Sequence, residues 1–180
     1  MFTVKVENNI IEHSKSIVEK HDFGQRYTAN GSKEQQVTGI IGQSVIMQLF
    51  DLGYVDGKSG FDDGVDFVFA NKKIDVKTMG RTTDVNKGYT NNFLKLQDYF
   101  KTEIYVFCSY HKIKNELTVC GWITKDDLIS KRRFYPKGST RTRLDKSTFE
   151  TFADLYEIDN KDLNDIKSIQ DLKEQLVSLK

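Results

Sequence analysis

The chain has 180 residues, of which 38% are apolar and 29% are charged. This composition excludes a disordered chain, and the length fits one domain with a sizeable core. The net charge of +1 gives no overall sign of a nucleic-acid partner, so any such partner must be recognised locally.

Two further features bear on the class of protein. No apolar run approaches the roughly 20 residues of a membrane span, and the first residues lack the apolar core of a signal peptide. Cys108 and Cys120 are the two cysteines of the chain and have no second pair, which excludes a zinc ribbon or a disulfide scaffold. We therefore expect a cytoplasmic protein without a membrane partner.

The first third of the chain predicts two helices. Residues 8–21 carry apolar side chains at helical spacing, which indicates an amphipathic helix of about three turns. Residues 32–53 predict a mostly buried helix with Ser32 as its N-cap and Gly53 as its stop. Gly39 and Gly42 lower helix propensity, and close approach to another element is the expected compensation.

The rest of the chain predicts four strands and further helices. Residues 65–70 and 73–78 alternate around Asn71-Lys72, and residues 103–112 and 116–124 read as two strands joined through Asn115. A helix capped by Thr124 follows, then a basic loop at 131–143 and a helical tail at 150–180. The expected fold is α/β of the α+β type, one domain over 1–180 with a core at about 30–130 and a mixed four-stranded sheet flanked by helices.

The hairpin places three charged side chains on one face. If Asn71 and Lys72 form the loop, Val68 pairs with Asp75 and Asp66 with Lys77. Side chains alternate along a strand, so Asp66, Asp75 and Lys77 then share one face and the two carboxylates can reach one cation. A loop of odd length would flip one strand and destroy the arrangement. An alternative is a structural ion pair across the hairpin, and Asp-x-Lys alone decides nothing because it recurs at 159–161, 165–167 and 171–173.

Asp66, followed by a hairpin and Asp75-Val76-Lys77, resembles the PD-(D/E)XK phosphodiesterase superfamily. That superfamily includes restriction enzymes, Holliday-junction resolvases and phage nucleases. The resemblance spans residues 30–125 and implies a restriction-endonuclease-like core. It also implies an Mg²⁺-dependent DNA endonuclease, with Mn²⁺ as a substitute, in which Asp66, Asp75 and the Val76 carbonyl bind the metal and Lys77 orients the attacking water.

The chain departs from the superfamily at the helix acid. Many members have glutamate after G-x-x-G, where "GIIGQ" has Gln43. Glu34 is the other candidate, but nine residues, about 2.5 turns, separate it from Gln43, so both cannot line one site. Gln43 offers a neutral amide oxygen, which suits Mg²⁺, and Glu34 offers a charge near the helix start.

The basic loop predicts contacts with DNA phosphates. Its cations are Lys131, Arg132, Arg133, Lys137, Arg141 and Arg143. They lie among no acids and are the expected grip on double-stranded or branched DNA, unless they simply form a solvated face. Most double-strand cutters need two sites, which makes a homodimer plausible. Two other hypotheses are a nuclease-like fold that binds DNA without cutting it and a plain interaction domain.

Overall fold

The computed structural model describes residues 1–21, 23, 31–57, 64–142 and 146–179. The helices in these ranges are α1 (Asn8–Lys20), α2 (Lys33–Leu49), α3 (Lys125–Lys131) and α4 (Ile169–Ser178). The strands are β1 (Phe2–Lys5), β2 (Phe67–Phe69), β3 (Lys72–Arg81), β4 (Thr90–Leu94), β5 (Ile104–His111), β6 (Glu116–Thr124), β7 (Arg133–Tyr135), β8 (Thr140–Thr142), β9 (Thr148–Glu150) and β10 (Leu155–Asp159). Short 3-10 helices lie at Lys95–Tyr99 and Asn160–Asp162.

A mixed sheet of five strands forms the centre, in the order β1-β6-β5-β3-β2. β3 and β5 run parallel, and the other neighbours are antiparallel. The prediction of an α+β chain with a mixed sheet flanked by helices is confirmed. The predicted number of four strands is wrong, because Phe2–Lys5 pairs with β6 as an edge strand too short for its alternation to stand out.

A second sheet covers part of the first and comes mainly from segments predicted as loops or helices. Its order is β4-β10-β7, and β8 and β9 form a separate hairpin. The helical prediction for the tail at 150–180 therefore holds only for α4, since β10 and the end of β9 are strands. The basic loop at 131–143 likewise contains β7 and β8.

The core has two parts, one on each face of the central sheet. α1, α2 and α4 pack on one face, against side chains such as Ile74, Val76 and Val106. The opposite face carries Tyr105 and Phe107, which pack with side chains of β4, β10 and α3. Because side chains alternate along β3, Asp75 and Lys77 point to this second face.

The helix starts follow the predicted caps. The Ser32 hydroxyl accepts a hydrogen bond from the Gln35 amide, and the Gln35 side chain accepts one from the Ser32 amide, so α2 begins with a capping box. The Thr124 hydroxyl accepts from the Asp127 amide and caps α3. Among the described residues no helix has the length and apolar composition needed to cross a membrane.

Gly42 is where α2 approaches β3 most closely. A Cβ atom at Gly42 would lie 1.8 Å from the Thr78 hydroxyl oxygen and 2.8 Å from the Thr78 Cβ, so only glycine fits. This confirms the expected close approach at Gly42. At Gly39 the expectation is wrong, since a Cβ there would meet no described atom within 4 Å.

The two glycines form a matched pair for a stability test. Gly42→Ala is expected to lower the free energy of unfolding by roughly 1–3 kcal/mol, because α2 or β3 must shift to admit the methyl group. Gly39→Ala is expected to leave it unchanged or raise it by up to about 1 kcal/mol, since alanine is the better helix former. Urea denaturation of both variants checks this, and equal stabilities would contradict the close contact.

Candidate active site

The β2–β3 hairpin has a different register from the predicted one. Its loop residues are Ala70 and Asn71, with φ of 47° and 60°, and Val68 pairs with Lys73. The predicted pairs of Val68 with Asp75 and of Asp66 with Lys77 are therefore wrong. The loop still has two residues, so the register moves by two positions and every side chain keeps its face.

Asp66 lies just beyond the end of β2 and bonds to β3 through both its amide and its side chain. Its amide donates to the Ile74 carbonyl at 2.8 Å, and its Oδ2 accepts from the Val76 amide at 2.6 Å. That Val76 nitrogen is bonded to the carbonyl carbon of Asp75, so the Asp66 carboxylate lies beside Asp75. The Val76 carbonyl points to the same side of β3 as the Val76 amide, toward Asp66.

Asp75 and Lys77 form a partly enclosed ion pair on the second face of the sheet. Lys77 Nζ lies 2.6 Å from Asp75 Oδ2, with the side chains 16% and 3% exposed. Tyr105 is the neighbour of Asp75 on β5. Burial raises the pKa of Tyr105 to about 12, and the negative charge of Asp75 adds to this effect. The predicted clustering of Asp75 and Lys77 on one face is thus what the structure has, although Asp66 reaches them by a different route.

The three residues lie in a cleft along an open edge of the central sheet. β2 pairs with β3 only between Lys72 and Ile74, and no other strand in the described ranges continues that pairing toward Arg81. A cleft of about 1340 Å³ follows this edge. Residues of α2, β3, β4 and β10 line it, as do Thr142 and residues 149–153. Asp66, Asp75, Val76 and Lys77 are all among the lining residues.

The structure places the two helix candidates differently. Gln43 lines the cleft together with Asp66, Asp75 and Lys77. Glu34 lies in the first turn of α2, is 73% exposed, and forms an ion pair with Lys112 at 2.5 Å. That contact lowers the pKa of the Glu34 carboxyl from its ordinary value. Of the two, Gln43 is the one that shares the cleft with the hairpin residues.

The cleft offers hard oxygen atoms that suit Mg²⁺ or Mn²⁺. They are the carboxylates of Asp66 and Asp75, the Val76 carbonyl and the Gln43 amide oxygen. No group of three or more acidic, histidine or cysteine side chains able to hold a metal occurs in the described part of the chain. Mg²⁺ in phosphoryl-transfer sites is commonly held by one or two carboxylates with water and substrate oxygens, so this donor set fits such an ion.

The basic segment, which is the loop predicted at 131–143, has most of its described cations paired with carboxylates of the same chain. Its three described arginines each meet a carboxylate: Arg132 with Asp98 at 2.5 Å, Arg133 with Asp159 at 2.7 Å and Arg141 with Glu157 at 2.6 Å. Lys131 and Lys137 are exposed. Arg143 lies outside the described residues. DNA binding by this segment stays a prediction. Three of its cations already form ion pairs within the chain.

Arg81 is a cleft residue that the sequence did not reveal. It lies in a stretch predicted as a polar connection, whereas β3 continues through it and its side chain lines the cleft. The sequence did contain one indication of this position. Arg81 lies six residues after Asp75, so in a continuous strand it shares a face with Asp75, Lys77 and Met79. Extending the predicted strand to Arg81 would have placed this residue on the same face as Asp75 and Lys77.

The arrangement as a whole joins two carboxylates, an ammonium group and several neutral oxygens at one open strand edge. Carboxylates can hold a hard cation, and a neighbouring ammonium can balance charge on a bound phosphate. Comparison with known proteins gives no match to the chain among family models, curated proteins or solved structures.

Proposed function

We propose that the chain is a metal-dependent endodeoxyribonuclease that hydrolyses phosphodiester bonds through Asp66, Asp75 and Lys77. The observation that carries this proposal is the meeting of these three side chains in one cleft, beside the open edge of β3. A phosphodiester strand needs an open groove rather than an enclosed pocket, and the cleft of about 1340 Å³ has room for one.

Mg²⁺ or Mn²⁺ held by Asp66, Asp75 and the Val76 carbonyl would polarise the scissile phosphate and lower the pKa of a bound water molecule. Gln43 would add its amide oxygen or orient a water molecule from α2. The hydrogen bond from the Val76 amide holds the Asp66 carboxylate beside Asp75, where it would share a cation with that residue.

Lys77 has two tasks in the proposed reaction. Its ammonium group would orient the attacking water and offset the negative charge that develops on the phosphate. Asp75 positions it, since the 2.6 Å contact between them holds the lysine in the cleft rather than in bulk solvent. This pairing differs from an exposed surface ion pair, because both side chains are at least four-fifths buried.

A restriction-endonuclease-like core belongs to the same proposal. Three features of the central sheet support it: the β2–β3 hairpin, the parallel neighbour β5, and α2 packed against β3 through Gly42. In this arrangement a helix residue, Gln43, lines the same cleft as Asp66 and Asp75.

Metal removal gives the primary test. Supercoiled plasmid and a branched DNA junction are expected to be cut in the presence of Mg²⁺ or Mn²⁺ and to stay intact in EDTA. Asp66→Asn is expected to abolish cutting while leaving DNA binding in EDTA unchanged. Linear product formed without a nicked intermediate would indicate two sites acting together, as in a homodimer. Cutting that continues in EDTA would contradict the proposal.

A second candidate is a protein of the same fold that binds DNA without cutting it. Gln43 in place of an acid favours it, together with the absence of a third acidic metal ligand among the described residues. Binding of both DNA substrates with no cleavage under any metal would support this candidate.

A further inference from the structure

Arg81 projects from β3 on the same face as Asp75 and Lys77. Arg81 lies four positions after Lys77, which corresponds to about 13 Å along β3. Its side chain is partly buried and lines the same cleft. Arg81 therefore lies farther along the open edge than Lys77 and on the same face, which suits a neighbouring phosphate of one strand.

The charges in the cleft distinguish Arg81 from its neighbours. Four lysines and arginines of the described chain line the cleft, and three have a carboxylate partner: Lys77 with Asp75, Lys112 with Glu34 and Arg141 with Glu157. Arg81 forms no ion pair with any described residue. Its guanidinium group is thus a positive charge that no described carboxylate neutralises.

The contacts of Arg81 hold its side chain in place but leave some of its N–H groups without a hydrogen-bond acceptor among the described residues. Nη2 donates to the Thr90 carbonyl at 2.7 Å, and the guanidinium carbon lies 4.7 Å from the centre of the Tyr89 ring. Nε is buried and has no acceptor among the described residues, and Nη1 has none either. Burial lowers the pKa of Arg81 from its ordinary value, and the opposing effects of Cys120 and Tyr89 are smaller.

An uncompensated, partly buried arginine with open donors suits an anion. Burying a charge without a partner costs free energy, and a bound anion would remove that cost. The planar fork of arginine matches two oxygens of a phosphate, which a lysine in the same place cannot do. The site is already shaped by Tyr89 and Thr90, so little ordering is needed on binding.

We propose that Arg81 binds a backbone phosphate of the nucleic-acid substrate, on the strand that carries the scissile phosphodiester but at a flanking position. The identity of the ligand as nucleic acid rests on the proposed function. Binding through Arg81 needs neither metal nor hydrolysis, so it can be measured when both are absent. Arg81 is a binding residue in this proposal and takes no part in the chemical step.

The test compares binding of fluorescent duplex and single-stranded oligonucleotides in EDTA over a range of salt concentrations. Arg81→Gln is expected to weaken binding roughly ten-fold or more, which is the effect of losing one charge-assisted contact. It should also reduce the slope of log K against log salt by about 0.9 on duplex DNA or about 0.7 on a single strand. Arg81→Lys should keep the slope while losing part of the affinity, because the charge remains without the fork.

Lys15→Gln serves as the matched control. Lys15→Gln removes one positive charge, as Arg81→Gln does. Lys15 is exposed on α1, pairs with Glu12 and does not line the cleft. If Arg81→Gln and Lys15→Gln bind with equal affinity and slope, the proposal is overturned. Inorganic phosphate at matched ionic strength is expected to compete no better than chloride. Competition at a concentration well below that of chloride would show a site for free phosphate and would overturn the assignment to a nucleic-acid backbone.

A second measurement covers the case in which Arg81→Gln does not fold. Wild-type protein is treated with an arginine-specific dicarbonyl reagent, with and without oligonucleotide, and modified peptides are counted by mass spectrometry. Oligonucleotide is expected to protect Arg81, whereas no protection would contradict the proposal. Cleavage assays test the proposed hydrolysis separately. If Arg81→Gln loses binding and the wild-type protein does not cleave DNA, only the proposed hydrolysis is contradicted. If Arg81→Gln cleaves and binds DNA as the wild-type protein does, only the proposed role of Arg81 is contradicted.

Discussion

Lys77→Met is expected to reduce metal-dependent DNA cleavage by about 10²- to 10³-fold, the effect of removing one group that stabilises a developing charge. The methionine side chain has a similar length and fills the same space, but buried Asp75 loses its partner at 2.6 Å, so urea denaturation of the variant is measured beside its cleavage rate to separate lost chemistry from lost stability. DNA binding in EDTA should change little, since Lys77 is already paired with Asp75 at 2.6 Å in the free protein. The measurement is the single-turnover rate of plasmid nicking.

Two variants make this result specific. Lys15→Met removes the same charge from an exposed residue of α1 that does not line the cleft, and this variant is expected to cleave at the wild-type rate. Lys77→Arg keeps a positive charge but replaces a compact ammonium by a planar guanidinium, and a partial rate is expected because the water-orienting geometry is lost. A Lys77→Met protein that cuts as fast as wild type would remove Lys77 from the mechanism and leave it as a structural partner of Asp75.

The hairpin shows which part of such a site a sequence can predict. Alternation fixed the common face of Asp75 and Lys77, and any loop with an even number of residues preserves that face. The register depended on which two residues adopt positive φ. Ala70 does so beside Asn71, and alanine carries no signal for that conformation. The position of Asp66 was missed for a related reason: its amide bonds to the Ile74 carbonyl, and its side chain accepts from the Val76 amide, a contact that strand alternation does not predict.

The second sheet was missed because ion pairs as well as apolar contacts stabilise its strands, and ion pairs leave no apolar alternation in the sequence. Glu157 is 5% exposed in the middle of β10, and an apolar pattern cannot mark a buried glutamate. Arg133 on β7 faces β10 through Asp159 and so looks, in sequence, like one more cation of a basic loop. The partners of these residues lie 16 to 26 positions away along the chain, beyond the reach of any local pattern.

Arg141→Met is expected to lower the free energy of unfolding by about 3 kcal/mol, because it leaves Glu157 charged and buried without its main partner. Arg141 donates to both oxygens of Glu157, at 2.6 and 3.2 Å, and stacks on Tyr135 at 3.7 Å. Arg133 remains 3.8 Å from Glu157, so the loss should lie at the lower end of the range for a broken buried pair. Urea denaturation at neutral pH measures it.

The double variant Arg141→Met/Glu157→Leu separates the two roles that Arg141 could have. If the arginine serves the fold, removing the buried acid as well should restore most of the lost stability, since an apolar pair of similar volume can replace a buried ion pair. If it serves DNA, the single variant should keep its stability and instead lose about 0.9 from the salt slope of duplex binding. We expect the first outcome, because Glu157 already balances the charge of Arg141, whereas no described acid balances that of Arg81. The basic segment would then act as part of the cleft wall, and the electrostatic grip on a nucleic-acid strand would come from β3.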